Sequence, residues 1–72
     1  MTETFADEIG RRRIRLGRTQ RAMSRSLGLG PTTWESWERG VHQPSVLTQR
    51  AVLAELHDLE AQLVDEILEE HG

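Results

Sequence analysis

The sequence predicts an all-α domain, on three observations. No run of five residues alternates apolar and polar positions with β-branched enrichment, so strand signals are missing. Apolar residues instead recur at three- and four-residue spacing. Glycine and proline, Gly10 apart, fall between the periodic runs, at Gly17, Gly28, Gly30-Pro31, Gly40 and Pro44. Seventy-two residues make one domain at most. A core of this size is marginal alone, so a partner chain or tight helix packing is expected to help.

The first predicted helix runs from about Thr4 to Leu16. Phe5, Ile9 and Leu16 share one face with Arg13 beside them. Thr4 followed by Asp7 resembles a capping box, and early acids suit the positive end of a helix. Gly10 is a weak spot inside it, and Gly17 ends it. The second helix is short, "TQRAMSRSL", with Thr19 as its N-cap, Met23 and Leu27 four apart on its inner face, and Gly28 as its stop. The third begins at "GPTTWESWERG". Gly30 can cap it, and Pro31 suits the first helical position, where its missing N–H costs nothing. It is expected to run to about Arg39 and stop at Gly40. "VHQ" is a loop, and Pro44-Ser45 opens the last segment. From Val46 to His71 there is no Gly or Pro. Leu47, Ala51, Leu53, Leu56, Leu59, Leu63, Val64, Ile67 and Leu68 form a broad apolar stripe, and acids take the other face. This is one long helix or two broken near His57-Asp58, giving four to five helices in all.

Composition narrows the functions. Cysteine is absent, which excludes disulfides and thiolate metal sites. His42, His57 and His71 have no ligand spacing, so no metal and no cofactor are expected. The N-terminus "MTETFADEIG" is acidic and lacks an apolar signal run, and no apolar stretch approaches the ~20 residues of a membrane span. A cytoplasmic protein is expected. The net charge of −3 hides an asymmetry. Residues 1–50 hold all nine Arg against five acids, whereas residues 51–72 hold seven acids and no Arg or Lys. Seven Arg and no acid lie between Arg11 and Arg25. The blander reading of such a run is a solvated face; the sharper one is an anion-binding front with an acidic back.

Two short helices joined by a tight Gly-containing turn, here "GLG" at 28–30, are the helix-turn-helix signature. In that motif the second helix enters the DNA major groove, and the first places its N-terminus at a phosphate. Residues 5–45 resemble the Cro/repressor-type (Xre-like) helix-turn-helix family. The resemblance rests on Ile9 and Arg13, Thr19-Gln20, Met23-Ser24, Gly28-Leu29-Gly30, and "WESWERG" followed by Pro44. "TWESWERG" with a long acidic tail is also similar to a branch of small phage and bacterial regulators. The resemblance implies a lambda-repressor-like domain with an acidic amphipathic C-terminal helix. It implies an ion pair between Arg13 and Glu38, tying the first helix to the end of the third. It implies that Pro31, Thr32, Thr33, Glu35 and Ser36 face bases. Thr19, Gln20, Arg21, Arg39, His42 and Gln43 are expected at the DNA backbone. Phe5, Ile9, Leu16, Met23, Leu27, Leu29, Trp34, Trp37 and Leu47 are expected in the core, with Trp37 half exposed and its N–H bonded to a partner group or water.

Departures from the family pattern qualify this. Ser24 stands where a small Ala is usual, which preserves geometry if its hydroxyl bonds back to a carbonyl. Gly30 replaces the usual cap Ser. The base-facing positions hold no Asn, Gln or Arg, the side chains that bond bases in bidentate fashion. Thr32, Thr33 and Ser36 can meet thymine methyls or make single hydrogen bonds, and Glu35 can accept from cytosine but repels phosphate. Specificity is then expected to draw partly on DNA shape.

Rival readings are weaker. A base-stacking platform needs exposed aromatics in a basic groove, whereas Trp34 and Trp37 fall on the apolar face. The C-terminal acids have no enclosing pocket, so an enzyme is not expected and no catalytic residue is assigned. The chain is expected to split its roles along its length. Residues 1–45 form the DNA-binding core, and residues 46–72 a dimerisation segment with Leu56, Leu59, Leu63 and Ile67 as its seam. The alternative for the stripe is packing back on its own domain. For the whole chain the alternative is a protein-binding module, such as an antitoxin or anti-activator, using the acidic helix.

Overall fold

The computed structural model describes residues 2–71 and contains four helices and, among the described residues, no strand. α1 spans Phe5–Leu16, α2 Gln20–Ser26, α3 Thr33–Glu38 and α4 Val46–His71. Thr4 caps α1 by accepting the Asp7 N–H at 3.1 Å, and Thr19 caps α2 by accepting the Ala22 N–H at 3.0 Å. Each hydroxyl satisfies one of the N–H groups that a helix start leaves without an intrahelical partner. Gly28 carries the helix-turn-helix turn at φ 68°, a left-handed conformation that costs glycine nothing, and it lets the Leu29 N–H return to the Ser24 carbonyl at 2.8 Å.

The start of α3 differs from expectation. Pro31 is not the first helical residue; it occupies the second position of a turn in which the Thr33 N–H meets the Gly30 carbonyl at 3.1 Å. Proline's fixed φ suits that position as well as it suits a helix start, so the local chemistry is compatible with both. Thr32 becomes the cap residue and makes no side-chain cap bond.

The last segment is one uninterrupted helix of 26 residues. At 1.5 Å per residue it is about 39 Å long, nearly the full 42 Å of the molecule's longest dimension. Ser45 opens it by accepting the Thr48 N–H at 3.2 Å. His57 and Asp58 pass without a break, because neither residue removes a backbone donor.

The core consists of Ile9, Met23, Trp34, Trp37, Val52 and Leu56. Phe5, Leu16, Leu27, Leu29, Leu53 and Leu59 pack around it. Both tryptophans are interior: Trp34 is fully buried and Trp37 is 7 % exposed rather than half exposed. Their ring centroids lie 6.0 Å apart, and Phe5 meets Trp37 edge-on at 6.2 Å, within the range of favourable aromatic pairs.

Two assignments along α4 are corrected. Leu47, expected in the core, is 77 % exposed. It precedes Leu56 by nine residues, which at about 100° per residue places it on the opposite side of the helix. Leu56, expected on a dimer seam, is fully buried within its own chain, one turn beyond Val52. α4 packs on α1 through this stripe. Leu59 and Leu63 are partly buried, and every described side chain from Val64 to Glu70 is exposed. The last two turns of α4 therefore overhang the body of the domain.

Candidate nucleic-acid interface

α3 has six residues, too few to persist on local propensity. It is held from behind. The Ser24 hydroxyl, fully buried on α2, accepts the Trp34 backbone N–H at 3.1 Å. Ser24 thus serves a start-of-helix donor of α3 from across the motif, in place of the bond to a carbonyl that its sequence position suggested. No buried side-chain polar atom among the described residues lacks a partner.

Glu38 ends α3 and is the centre of a polar cluster. Arg13 Nε and Nη2 donate to its carboxylate at 2.6 and 3.2 Å, Gln20 Nε2 donates at 3.1 Å, and the Trp34 indole N–H donates as well. Arg13 also reaches the Arg18 carbonyl at 2.9 Å. The expected ion pair is present, with side chains 16 % and 12 % exposed. Burial works to raise the Glu38 pKa, but the hydrogen bonds from Arg13, Gln20 and Trp34 and the Arg13 charge outweigh it, so the carboxyl sits below its ordinary range. The approach of this carboxylate explains Gly10: a Cβ there would lie 3.1 Å from Glu38 Oε1. The glycine that weakens α1 locally makes room for the bond network that joins α1 to α3.

Part of the arginine run is committed to acids of the same chain. Arg11 pairs with Glu3 at 2.9 Å. Arg12 bonds Glu60 of α4 at 2.6 and 3.0 Å and Glu8 at 3.0 Å. The hydrogen bond to Glu60 is the main cause of a raised Arg12 pKa, and the same bond lowers that of Glu60. With Arg13 committed to Glu38, three of the seven arginines of the supposed anion-binding front serve the fold. The i, i+4 spacing of Glu8 and Arg12 was legible in the chain. The partnership of Arg12 with Glu60, 48 residues away, left no local signal.

Of the rest, Arg21 and Arg25 lie beside the N-termini of α2 and α3. One concavity is lined by Thr19, Gln20, Arg21, Pro31, Thr32 and Glu35. A neighbouring one is lined by Arg21, Arg25, Leu29 and Pro31. Six residues assigned to DNA from the sequence thus share one surface, with Arg21 common to both concavities. Thr33 and Ser36 are half-buried. His42 and Gln43 lie apart, in a hollow with Thr4, Phe5, Ala6, Trp37 and Gly40. Gln20, expected to serve the DNA backbone, also serves the fold: one N–H goes to Glu38 and the other stays available. Glu35 has one cation within reach, Arg39 at 3.9 Å, which offsets part of the acid's charge on this face.

Among the described residues no group of acids and histidines could hold a metal ion, and no helix is long and apolar enough to cross a membrane. Comparison with curated proteins and with solved structures gave no match. A family model described as a helix-turn-helix domain does match, over residues 4–67, from the cap of α1 to the overhang of α4. The chain belongs to the helix-turn-helix domain family, consistent with its resemblance to Cro/repressor-type sequences.

Proposed function

We propose that this chain is a sequence-specific regulator of transcription, a repressor that binds duplex DNA as a homodimer on a pseudo-palindromic operator. The observation that carries the reading is the shared surface at the N-termini of α2 and α3, where Thr19, Gln20, Arg21, Pro31, Thr32 and Glu35 converge. In a helix-turn-helix the second helix reads base edges while the start of the first meets a phosphate. Arg21, Arg25, Arg39 and the free N–H of Gln20 supply backbone contacts, which position the domain without reading sequence. Thr32, Thr33 and Ser36 offer single hydrogen bonds and methyl contacts, and Glu35 accepts from the amino group of cytosine. Paired half-sites about 34 Å apart match a two-fold dimer. Selection from a random duplex pool tests this: a two-fold symmetric consensus is expected, and no enrichment at low salt would overturn it.

The acidic overhang of α4 favours a second reading, a protein-binding module of the antitoxin or anti-activator kind. Duplex binding distinguishes the two. A phosphate-contacting domain binds random DNA at low salt and loses affinity steeply as salt rises, and a pure protein-binding module does neither.

A further inference from the structure

We propose that the overhang of α4 is covered by a second copy of this chain, the two helices crossing antiparallel near Val64, so that each overhang seats in the groove between α1 and α4 of its partner. The inference rests on the homodimer reading above and adds where and how the two chains meet.

The overhang carries an incomplete surface. Val64, Ile67 and Leu68 are 54 %, 47 % and 63 % exposed, and at about 100° per residue they share one side of the helix. Asp65, Glu66, Glu69 and Glu70 cover the rest, and none of them is in an ion pair among the described residues. Next to this surface lies a groove lined by Arg15, Leu16, Glu60, Leu63 and Val64. Its walls are apolar. Its one acid, Glu60, is committed to Arg12, whereas Arg15 forms no ion pair among the described residues. The overhang therefore has apolar side chains and unmatched acids, and the groove has an apolar floor and an unmatched cation.

The two parts belong to one continuous surface, with Val64 common to both. That is the condition for an isologous contact, in which the same patch is used twice about a two-fold axis. With the axis near Val64, antiparallel helices bring Leu68 of one chain opposite position 60 of the other. Val64 and Ile67 then meet Leu16, Leu63 and Val64, and Glu66 and Glu70, which the two-fold axis places on the α1 side, come within reach of Arg15. Duplex DNA is a poor occupant, because four acids repel phosphate, and an anionic bilayer fails for the same reason. Of the expected seam, Leu59, Leu63 and Ile67 fit this geometry, with Leu59 at its inner edge; Leu56 belongs to the core.

Because the chain lacks cysteine, one introduced thiol reports the axis. The full chain carrying V64C is expected to form a disulfide-linked dimer under mild oxidation, and the full chain carrying L47C is not. By sedimentation, Arg15→Glu is expected to weaken the dimer about fivefold or more, and combining it with E66R and E70R to restore it. Val64, Arg15, Glu66 and Glu70 are exposed, so the variants keep the core, which circular dichroism checks. Cross-linking through L47C instead, a monomer at every concentration, or a dimer indifferent to Arg15→Glu would overturn the proposal. Duplex binding is measured separately on a single half-site. Its loss with the dimer intact would sink the regulator reading alone.

Discussion

At Glu38 four N–H donors from α1, α2 and α3 converge on one carboxylate, so this side chain joins three helices at once. Replacing it with glutamine removes the charge that Arg13 faces and turns an amide toward other donors. Glu38→Gln is expected to cost about 3 kcal/mol, as broken half-buried pairs do, measured by urea denaturation. The pH dependence has a defined sign. The folded pKa is lowered, so the contribution is complete above the ordinary carboxylate pKa of about 4.3. It is lost as pH falls from there through the lowered folded value. The wild type should lose stability across that window, and the variant should show a flatter profile. Ser24 supplies a second test. Ser24→Ala leaves the Trp34 N–H buried without an acceptor, an expected loss of about 1–3 kcal/mol. A variant as stable as the wild type would show that α3 does not depend on this bond.

Among the elements, α3 and α4 divide the work. On α3, Thr32→Ala and Ser36→Ala are expected to change the selected DNA consensus while leaving total affinity within a few-fold. Arg21→Ala should lower affinity for all sequences alike, which parallel selections and titrations would separate. Gln20→Ala belongs to neither class, because it also removes a donor from Glu38. Deletion of α4 after Leu63 should preserve the core, which ends at Leu56 and its neighbours, and abolish the dimer. Deletion after Glu55 should unfold the chain, because Leu56 goes with it. These elements were legible to different degrees. Thr4, Thr19, Gly17, Gly28 and Gly40 mark boundaries by their own chemistry, and α1, α2 and the end of α3 lie where those signals place them, whereas α3 starts two residues later than Pro31 suggested. The Arg13–Glu38 pair was legible only through family resemblance. Leu47 and Leu56 were not separable within a broad stripe, because every position in it is apolar and only the position of α1 decides which side is inside. Ser24, Gly10 and Glu60 owe their roles to partners 10, 28 and 48 residues away, and spacing within one helix carries no trace of those.

For the whole molecule, charge is the property that the fold redistributes. Nine arginines suggest a strongly basic front, yet Arg11, Arg12 and Arg13 are neutralised internally. Arg21, Arg25 and Arg39 remain nearest the proposed DNA surface. The logarithm of DNA affinity should therefore fall with the logarithm of salt at a slope of about −3 per protomer. A slope twice as steep would mean that further arginines, such as Arg15, Arg18 and Arg50, also meet DNA.

The shortness of α3 has one more consequence. Its attachment runs through Trp34, Trp37, Glu38 and the Ser24 bond, all on the inward side. None of the outward side chains, Thr32, Ser36 or Arg39, takes part in holding it. On the proposed function, recognition and folding are thus written on opposite sides of α3 and its two capping residues. If the proposed function holds, a lineage of such proteins can exchange its outward letters, acquiring new operators step by step, without passing through unfolded ancestors.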